Sequence, residues 1–229
     1  MLKIFITATD TDAGKTYFAQ ILTAALVKKD YQVAVFKPIS AGCELKHTAQ
    51  GEILVNEDAQ LLLQQANCGQ GISEINPIAF EPAIAPHIAA NLMNVDIKLA
   101  DINAGYERII TRACDIVITE GAGGWRLPLG KGRFLSEFVQ QTKQQVILVV
   151  NMKLGCLNHA VLTYEAIVAD GLDCIGWVAN CVEPMNYLAE NIAELKTLIP
   201  IPMIAQLGFE TNINKASSNV NVSSITARL

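Results

Sequence analysis

Along the chain, short unbroken apolar runs alternate with segments whose apolar residues recur every three or four positions. The runs are LKIFITA (2–8), QVAVFKP (32–38), DIVITE (115–120), QVILVV (145–150), CIGWVAN (174–180) and PMIAQL (202–207). Short runs that do not alternate apolar with polar have the form of strands covered on both faces. Helical patterns lie between them. KTYFAQILTAALVKK follows the first run, EDAQLLLQQ follows a polar loop at 40–57, and Asp96 can cap a helix running to about Arg112. Pro77, Pro82 and Pro86 punctuate a loop-rich stretch. The order predicts an α/β fold: one domain over 1–229, with a mostly parallel sheet, helices on both faces and right-handed crossovers. From Asn212 the chain reads NINKASSNVNVSSITARL, polar and rich in serine and asparagine. That composition predicts a surface-hugging or partly mobile tail over 210–229 that buries little apolar surface and whose removal leaves folding intact.

Composition narrows the classes of function. A formal charge of −5 lacks the basic face of a general nucleic-acid binder, although a few placed lysines suffice for a nucleotide. No apolar run approaches the roughly 18 residues of a membrane span. The start of the chain, with Lys3 and few apolar residues before TDTD, lacks the form of a signal peptide, so the expected location is the cytoplasm. The six cysteines form no C-x-x-C pair and sit in apolar segments, as reduced thiols do. His47, His87 and His159 lie too far apart in sequence to suggest a transition-metal site.

In a sheet of this kind ligands bind at the carboxyl ends of the strands. After the first run stands TDTDAGKT (9–16), which ends like a phosphate-binding loop but lacks its opening glycine. Between a strand and a helix, backbone N–H groups and the helix dipole would face a phosphate, Lys15 would neutralise it and Thr16 could ligate Mg²⁺; a tight turn at Gly14 is the plain alternative. Lys37 ends the second run, pointing to the same rim or simply to solvent. Glu120 ends the third, where nucleotide hydrolases place a metal-binding carboxylate, and Gly121, Gly123 and Gly124 let backbone approach a ligand. Asp58 alone reads as a charge at a helix start. Asn180 offers a donor and an acceptor that match an adenine edge, or forms a turn before Pro184. NMKLGCLNHA (151–160) leads into a helix whose free N–H groups at Gly155, Cys156, Leu157 and Asn158 suit a carboxylate, unless Asn158 merely caps that helix; His159 reads as a polar helix residue.

Taken together and in order, TDTDAGKT, KPISAG, NEDAQLL, PHIAA, TEGAGGW, LPL, VILVVNMKLGCLNHA, GWVAN and IPIPMIAQL resemble the dethiobiotin synthetases, from the first strand to about residue 210. The chain departs from the family's pattern at Ala8, where a glycine is usual, at Asp12, where glutamate is usual, and at Ala41, where a hydroxyl residue often contacts substrate. Ser40 is the nearest replacement for that hydroxyl.

The resemblance implies a P-loop ligase that joins CO2 to 7,8-diaminopelargonate with ATP and Mg²⁺, through a carbamate and a carbamic–phosphoric anhydride. It implies catalytic roles for Lys37, Lys15 and Thr11, and metal ligands in Thr16, Asp58 and Glu120. Nucleotide contacts would come from Asp12, Ala13, Gly14, Lys15, Thr16, Tyr17, Gly121, Ala122, Gly123, Asn180, Cys181, Gly208, Phe209 and Glu210. Substrate contacts would come from Ser40, Ala41 and the 155–158 segment, with the substrate's tail at the interface of a homodimer. The rival reading is a switch ATPase of the chromosome-partition or division-site kind, which shares sheet and loop. Those proteins carry a lysine five residues before the main one, where this chain has Asp10, and their basic amphipathic end is missing from this tail.

Overall fold

The computed structural model describes residues 1–48 and 51–228. Strand β1 (Leu2–Ala8) runs through a loop into helix α1 (Lys15–Val27), followed by β2 (Val33–Phe36) and the short β3 (Ile39–Ser40). Next come β4 (Glu44–Thr48), β5 (Gly51–Val55), α2 (Glu57–Gln65), the single turn α3 (Ile72–Ile75), β6 (Ile78–Ala79), α4 (Pro86–Leu92) and α5 (Leu99–Ile110). Strand β7 (Ile116–Glu120), a small hairpin of β8 (Pro128–Gly130) and β9 (Arg133–Phe134), and α6 (Leu135–Thr142) follow. Strands and helices then alternate: β10 (Gln145–Asn151), α7 (Cys156–Ala169), β11 (Cys174–Asn180), α8 (Leu188–Leu198) and β12 (Met203–Leu207). Helix α9 (Ile213–Ala216), a 3₁₀ turn (Ser217–Asn219) and α10 (Ser223–Thr226) complete the described chain.

The six apolar runs are the six strands of the main sheet, in the order β12-β11-β10-β1-β7-β2, every pairing parallel. Successive side chains of a strand point to opposite faces, so an unbroken apolar run feeds two cores at once. One core takes Phe36, Val117, Leu148 and Trp177 from the sheet and packs them on Tyr106 of α5, Phe138 of α6, Ile167 of α7 and Leu195 of α8. The other takes Ile4, Ile6, Val35, Ile118 and Val149 and packs them on Phe18 and Leu22 of α1 and Leu62 of α2. β1 is central, with β7 on one side and β10 on the other. From β1 the chain moves first toward the β2 edge and later toward the β12 edge, so the crevice of the sheet opens above the carboxyl end of β1.

Four local expectations change. The polar loop at 40–57 contains an antiparallel hairpin, β4–β5, whose residues pair from Glu44↔Val55 to Thr48↔Gly51. Asp96 does not cap α5: its N-cap is Lys98, and Asp96 is drawn off to Lys131, 2.5 Å away. Pro86 occupies the first turn of α4, where a missing N–H costs nothing. The tail does bury apolar surface: Ala216, Val220, Val222 and Ile225 enter the core on the α1 side, and the Asn221 N–H donates to the Ile204 carbonyl of β12. Composition misled there, because Ile213, Ala216, Val220, Val222 and Ile225 turn to one side, into the same core.

Candidate active site

The loop after β1 is shaped by backbone geometry that few residues allow. Gly14 has φ +89, and a Cβ there would lie 2.3 Å from Asn180 Nδ2. Only glycine fits. Asp12 also sits at positive φ, 55°, which Asp tolerates better than most residues. The departure at Ala8 is absorbed without strain: it is the last residue of β1, buried and paired with Val149. Helix α1 starts directly after Gly14 with no acidic residue in its first turn, so its positive end is left for an anion.

Two strand ends and α2 place charged side chains beside this loop. Glu120, at the end of β7, is 1% exposed. Its Oε1 accepts from the Thr16 hydroxyl at 2.7 Å and lies 2.7 Å from Lys37 Nζ. Asp58, in the first turn of α2, reaches the same ammonium at 2.8 Å. Burial would depress the Lys37 ammonium, but Glu120 and then Asp58 outweigh it and hold it above the usual lysine value. Burial would likewise raise Asp58, yet Lys37 and Thr16 keep its carboxyl below the usual range. Among the described residues Lys15 has no carboxylate at bonding distance; its ammonium donates to the Asp10 carbonyl at 3.1 Å, and burial lowers it to about 8.

These groups line one cavity of about 840 Å³. It brings together Thr11, Asp12, Gly14, Lys15, Thr16, Tyr17, Lys37, Ser40, Ala41, Asp58, Glu120, Gly121, Ala122 and Gly123. Glu120 Oε2 is buried and has no hydrogen-bond partner among the described residues. An orphaned carboxylate oxygen beside a hydroxyl and a second carboxylate fits a hard cation that completes its shell with water and phosphate oxygens, as Mg²⁺ does.

Other expected residues lie outside the cavity lining. Ala13 is buried under the loop, and its carbonyl accepts from Asn180 Nδ2 at 3.0 Å. Asn180 thus commits its donor to holding the loop and keeps a buried Oδ1 with no partner among the described residues as its acceptor. Cys181, half-buried, donates its N–H to the Leu207 carbonyl. The Tyr17 hydroxyl accepts from the Glu210 N–H and lies 3.0–3.1 Å from the carbonyls of Glu210 and Gly208, which ties the loop of Gly208, Phe209 and Glu210 to α1. Ser40 lines the cavity, but its proton goes to Asn76 Oδ1 at 2.6 Å, which weakens it as a stand-in for the hydroxyl missing at Ala41.

Gly155, Cys156, Leu157 and Asn158 open α7 at the end of β10, across β1 from Glu120 and Lys37. The cap position belongs to Gly155, and no side chain caps this helix, so Asn158 does not. Leu154, just before it, is 96% exposed.

Several lining residues went unread in the sequence. Asn56 caps α2 by accepting from the Ala59 N–H and donates to the Ala41 carbonyl, joining both rims. Ala83, Ile84, Ala85, Pro86 and Leu127 also line the cavity. Asn76 stands behind the cavity and donates to the Lys37 carbonyl at 2.8 Å. A cap signature was legible at Asn56, directly before EDAQLLL; Asn76 gave no signal, since it acts on backbone far away in sequence.

Comparison with known proteins agrees with this geometry. A family described as an AAA domain matches residues 2–217. The ATP-dependent dethiobiotin synthetase of Pseudoalteromonas translucida is 43% identical over 206 residues, covering 90% of this chain and 89% of that one. The enzyme of the same name from Alteromonas mediterranea is 46% identical over 224 residues, covering 93% and 94%. Among solved structures, a ParA family ATPase from Chlorobium tepidum aligns with a TM-score of 0.54 at 13% identity, over 100% of this chain and 95% of that one. That likeness concerns the fold alone and adds nothing for a partition-type switch. With relatives this similar along nine-tenths of its length, and a phosphate loop facing a lysine and two carboxylates across one cleft, the chain belongs to the ATP-dependent dethiobiotin synthetase family.

Proposed function

We propose that the protein closes a ureido ring on 7,8-diaminopelargonate, consuming ATP and CO2 and yielding dethiobiotin, ADP and phosphate. The observation that carries this reading is the meeting of Lys15, Lys37 and Glu120 in one buried cleft of a chain so similar to dethiobiotin synthetases. One amine takes up CO2 as a carbamate and releases a proton. A carbamate oxygen then bonds to the γ-phosphorus as ADP leaves. The second amine attacks the carbamoyl carbon, forming the ring C–N bond, expelling phosphate and giving up a proton. The difficulty is that carbamate and triphosphate are both anions, so positioning and charge neutralisation are the main demands on the protein. Lys15 and the N–H groups of the loop, with Thr11 at its rim, hold the phosphates. Lys37 meets the carbamate and the γ-phosphate. Thr16, Asp58 and Glu120 would hold Mg²⁺, which supplies further positive charge to the phosphates. The acceptor of Asn180 faces the adenine amine, beside Cys181 and the 208–210 loop.

The substrate's carboxylate goes to the start of α7 in the partner subunit of a homodimer. An uncapped helix start, a free Asn158 side chain and the bare Leu154 beside it support that assignment, since a second copy would both use the N–H groups and cover the leucine. The setting proposed is the cytoplasm, which suits six free cysteines.

The test is mass spectrometry of a reaction with ATP, Mg²⁺, bicarbonate and the diamine. Dethiobiotin is expected, with ADP and phosphate in equal amounts. ATP hydrolysis that runs undiminished without diamine and bicarbonate, and no ureido product with both present, would overturn the reading.

A further inference from the structure

The Lys37 ammonium lies between the two carboxylates assigned above to a metal ion, 2.7 Å from Glu120 Oε1 and 2.8 Å from Asp58 Oδ2. Both distances are those of full charge-assisted bonds, so the group is held there. The Thr16 hydroxyl donates to the same Glu120 oxygen. Three candidate ligands thus converge on one spot, and an ammonium is in it. A divalent ion bridging Glu120 Oε1 and Asp58 Oδ2 cannot share the place with that ammonium, because Mg²⁺ takes its oxygens at about 2.0–2.1 Å and would stand almost against a like charge.

We propose that Lys37 is a cation latch: its ammonium and a divalent metal ion compete for the Glu120–Asp58 pair, and Lys37 turns to the anionic substrate only when the metal is bound with nucleotide. The proposal rests on the assignment of Thr16, Asp58 and Glu120 to the metal. The local charges favour such an exchange. Two lysines and two carboxylates cancel, so the buried Glu120 is never left uncompensated. A metal ion entering with a triphosphate replaces Lys37 at the carboxylates and at the same time brings it new anionic partners. The movement is confined to the side chain. The Lys37 N–H donates to the Ile75 carbonyl at 2.8 Å and its carbonyl accepts from Asn76 at 2.8 Å, which fixes the backbone. A lysine stem has the torsions to move its end while its root stays put.

Binding of Mn²⁺ to the full chain, counted from the resonance of the free ion in the absence of nucleotide, tests the competition. Lys37→Met is expected to bind Mn²⁺ on the order of tenfold more tightly than the wild-type chain. Glu120→Gln should weaken binding. Equal affinity of Lys37→Met and wild type overturns the latch, even where Glu120→Gln weakens binding and so upholds the metal assignment. Binding indifferent to both Glu120→Gln and Asp58→Asn overturns the assignment itself. A second measurement needs no destabilised variant. In wild-type protein labelled at the lysine ε-carbon, the Lys37 resonance (assigned with the charge-keeping Lys37→Arg) should move on adding Mg²⁺ with ADP and stay in place with ADP and a chelator. No movement in the first case, or equal movement in both, overturns the latch.

Discussion

Lys15 and Lys37 bring the same charge into the same cleft, and their surroundings treat it in opposite ways. Lys15 lacks a bonded carboxylate, and burial lowers it to about 8, against a usual value of 10.5. Between those values the unfolded chain holds a proton that the folded chain has lost, so this residue makes stability rise with pH from about 8 to 10.5. On the proposal that Lys15 holds the phosphates, nucleotide binding needs the charged form. ATP affinity should therefore weaken as pH climbs through 8, measured by titration calorimetry across pH 7 to 9. Lys37 keeps its proton over that range, and its loss should be felt in chemistry: Lys37→Ala is expected to lower kcat on the order of 10²-fold, far more than it weakens ATP binding. Gly14→Ala should cost about 1–2 kcal/mol from the left-handed backbone alone, read by urea unfolding, and more from the contact with Asn180. At this scale the sequence was most legible where a residue ends a strand, because strand ends share one rim; Lys37 and Glu120 were found that way. Asn76 and the 83–86 wall were not, since they reach the cleft from connections whose path no periodicity reveals.

Between residues and fold, the glycine segment after β7 depends on a distant helix end. Asp170, just after α7, accepts from Trp125 Nε1 at 2.9 Å and from both terminal nitrogens of Arg126 at 2.5 and 2.9 Å. Arg126 Nη1 also donates to Ser136 Oγ at 2.9 Å. The cluster anchors the far end of Gly121–Gly123, which line the cleft. Asp170→Asn removes the charge from a partly exposed pair and should cost about 1–2 kcal/mol in urea unfolding, with a higher KM for ATP as the segment loosens. The six main strands were legible as elements because burial on both faces leaves unbroken apolar runs. The β4–β5 hairpin was not, since Glu44, Leu45, His47, Gly51 and Glu52 are exposed and little apolar pattern marks it. At Asp96 a helix cap and a lysine across a loop compete for the same carboxylate, and only the folded chain shows that Lys131 wins.

Taken whole, the molecule rests on its last residues more than their composition suggests. Val220, Val222 and Ile225 are each buried, and burying such a side chain fully is worth about 1.5–3 kcal/mol. Ending the chain at Thr211 should thus remove several kcal/mol from a total of about 5–15, seen as insoluble protein or a Tm lowered by about 5 °C or more. An unchanged Tm would restore the reading of a dispensable tail. If the substrate site spans two subunits, mixing Asn158→Ala with Lys37→Ala chains should restore one intact site per mixed dimer, measured as activity above either parent; none returns if each subunit is self-contained. The order of the sheet carries a further consequence, for the ribosome. β1 is made first, yet its neighbours are β7 and β10, with registers such as Ile4↔Ile118 and Ala8↔Val149. The outer side of α1 waits longer still, for residues 216–225. Such pairings close only after long stretches of chain have been made, which slows folding. A stalled nascent chain would therefore display the loop after β1 before anything exists to hold it in shape, and a motif made ahead of its partners must wait for them to take its folded form.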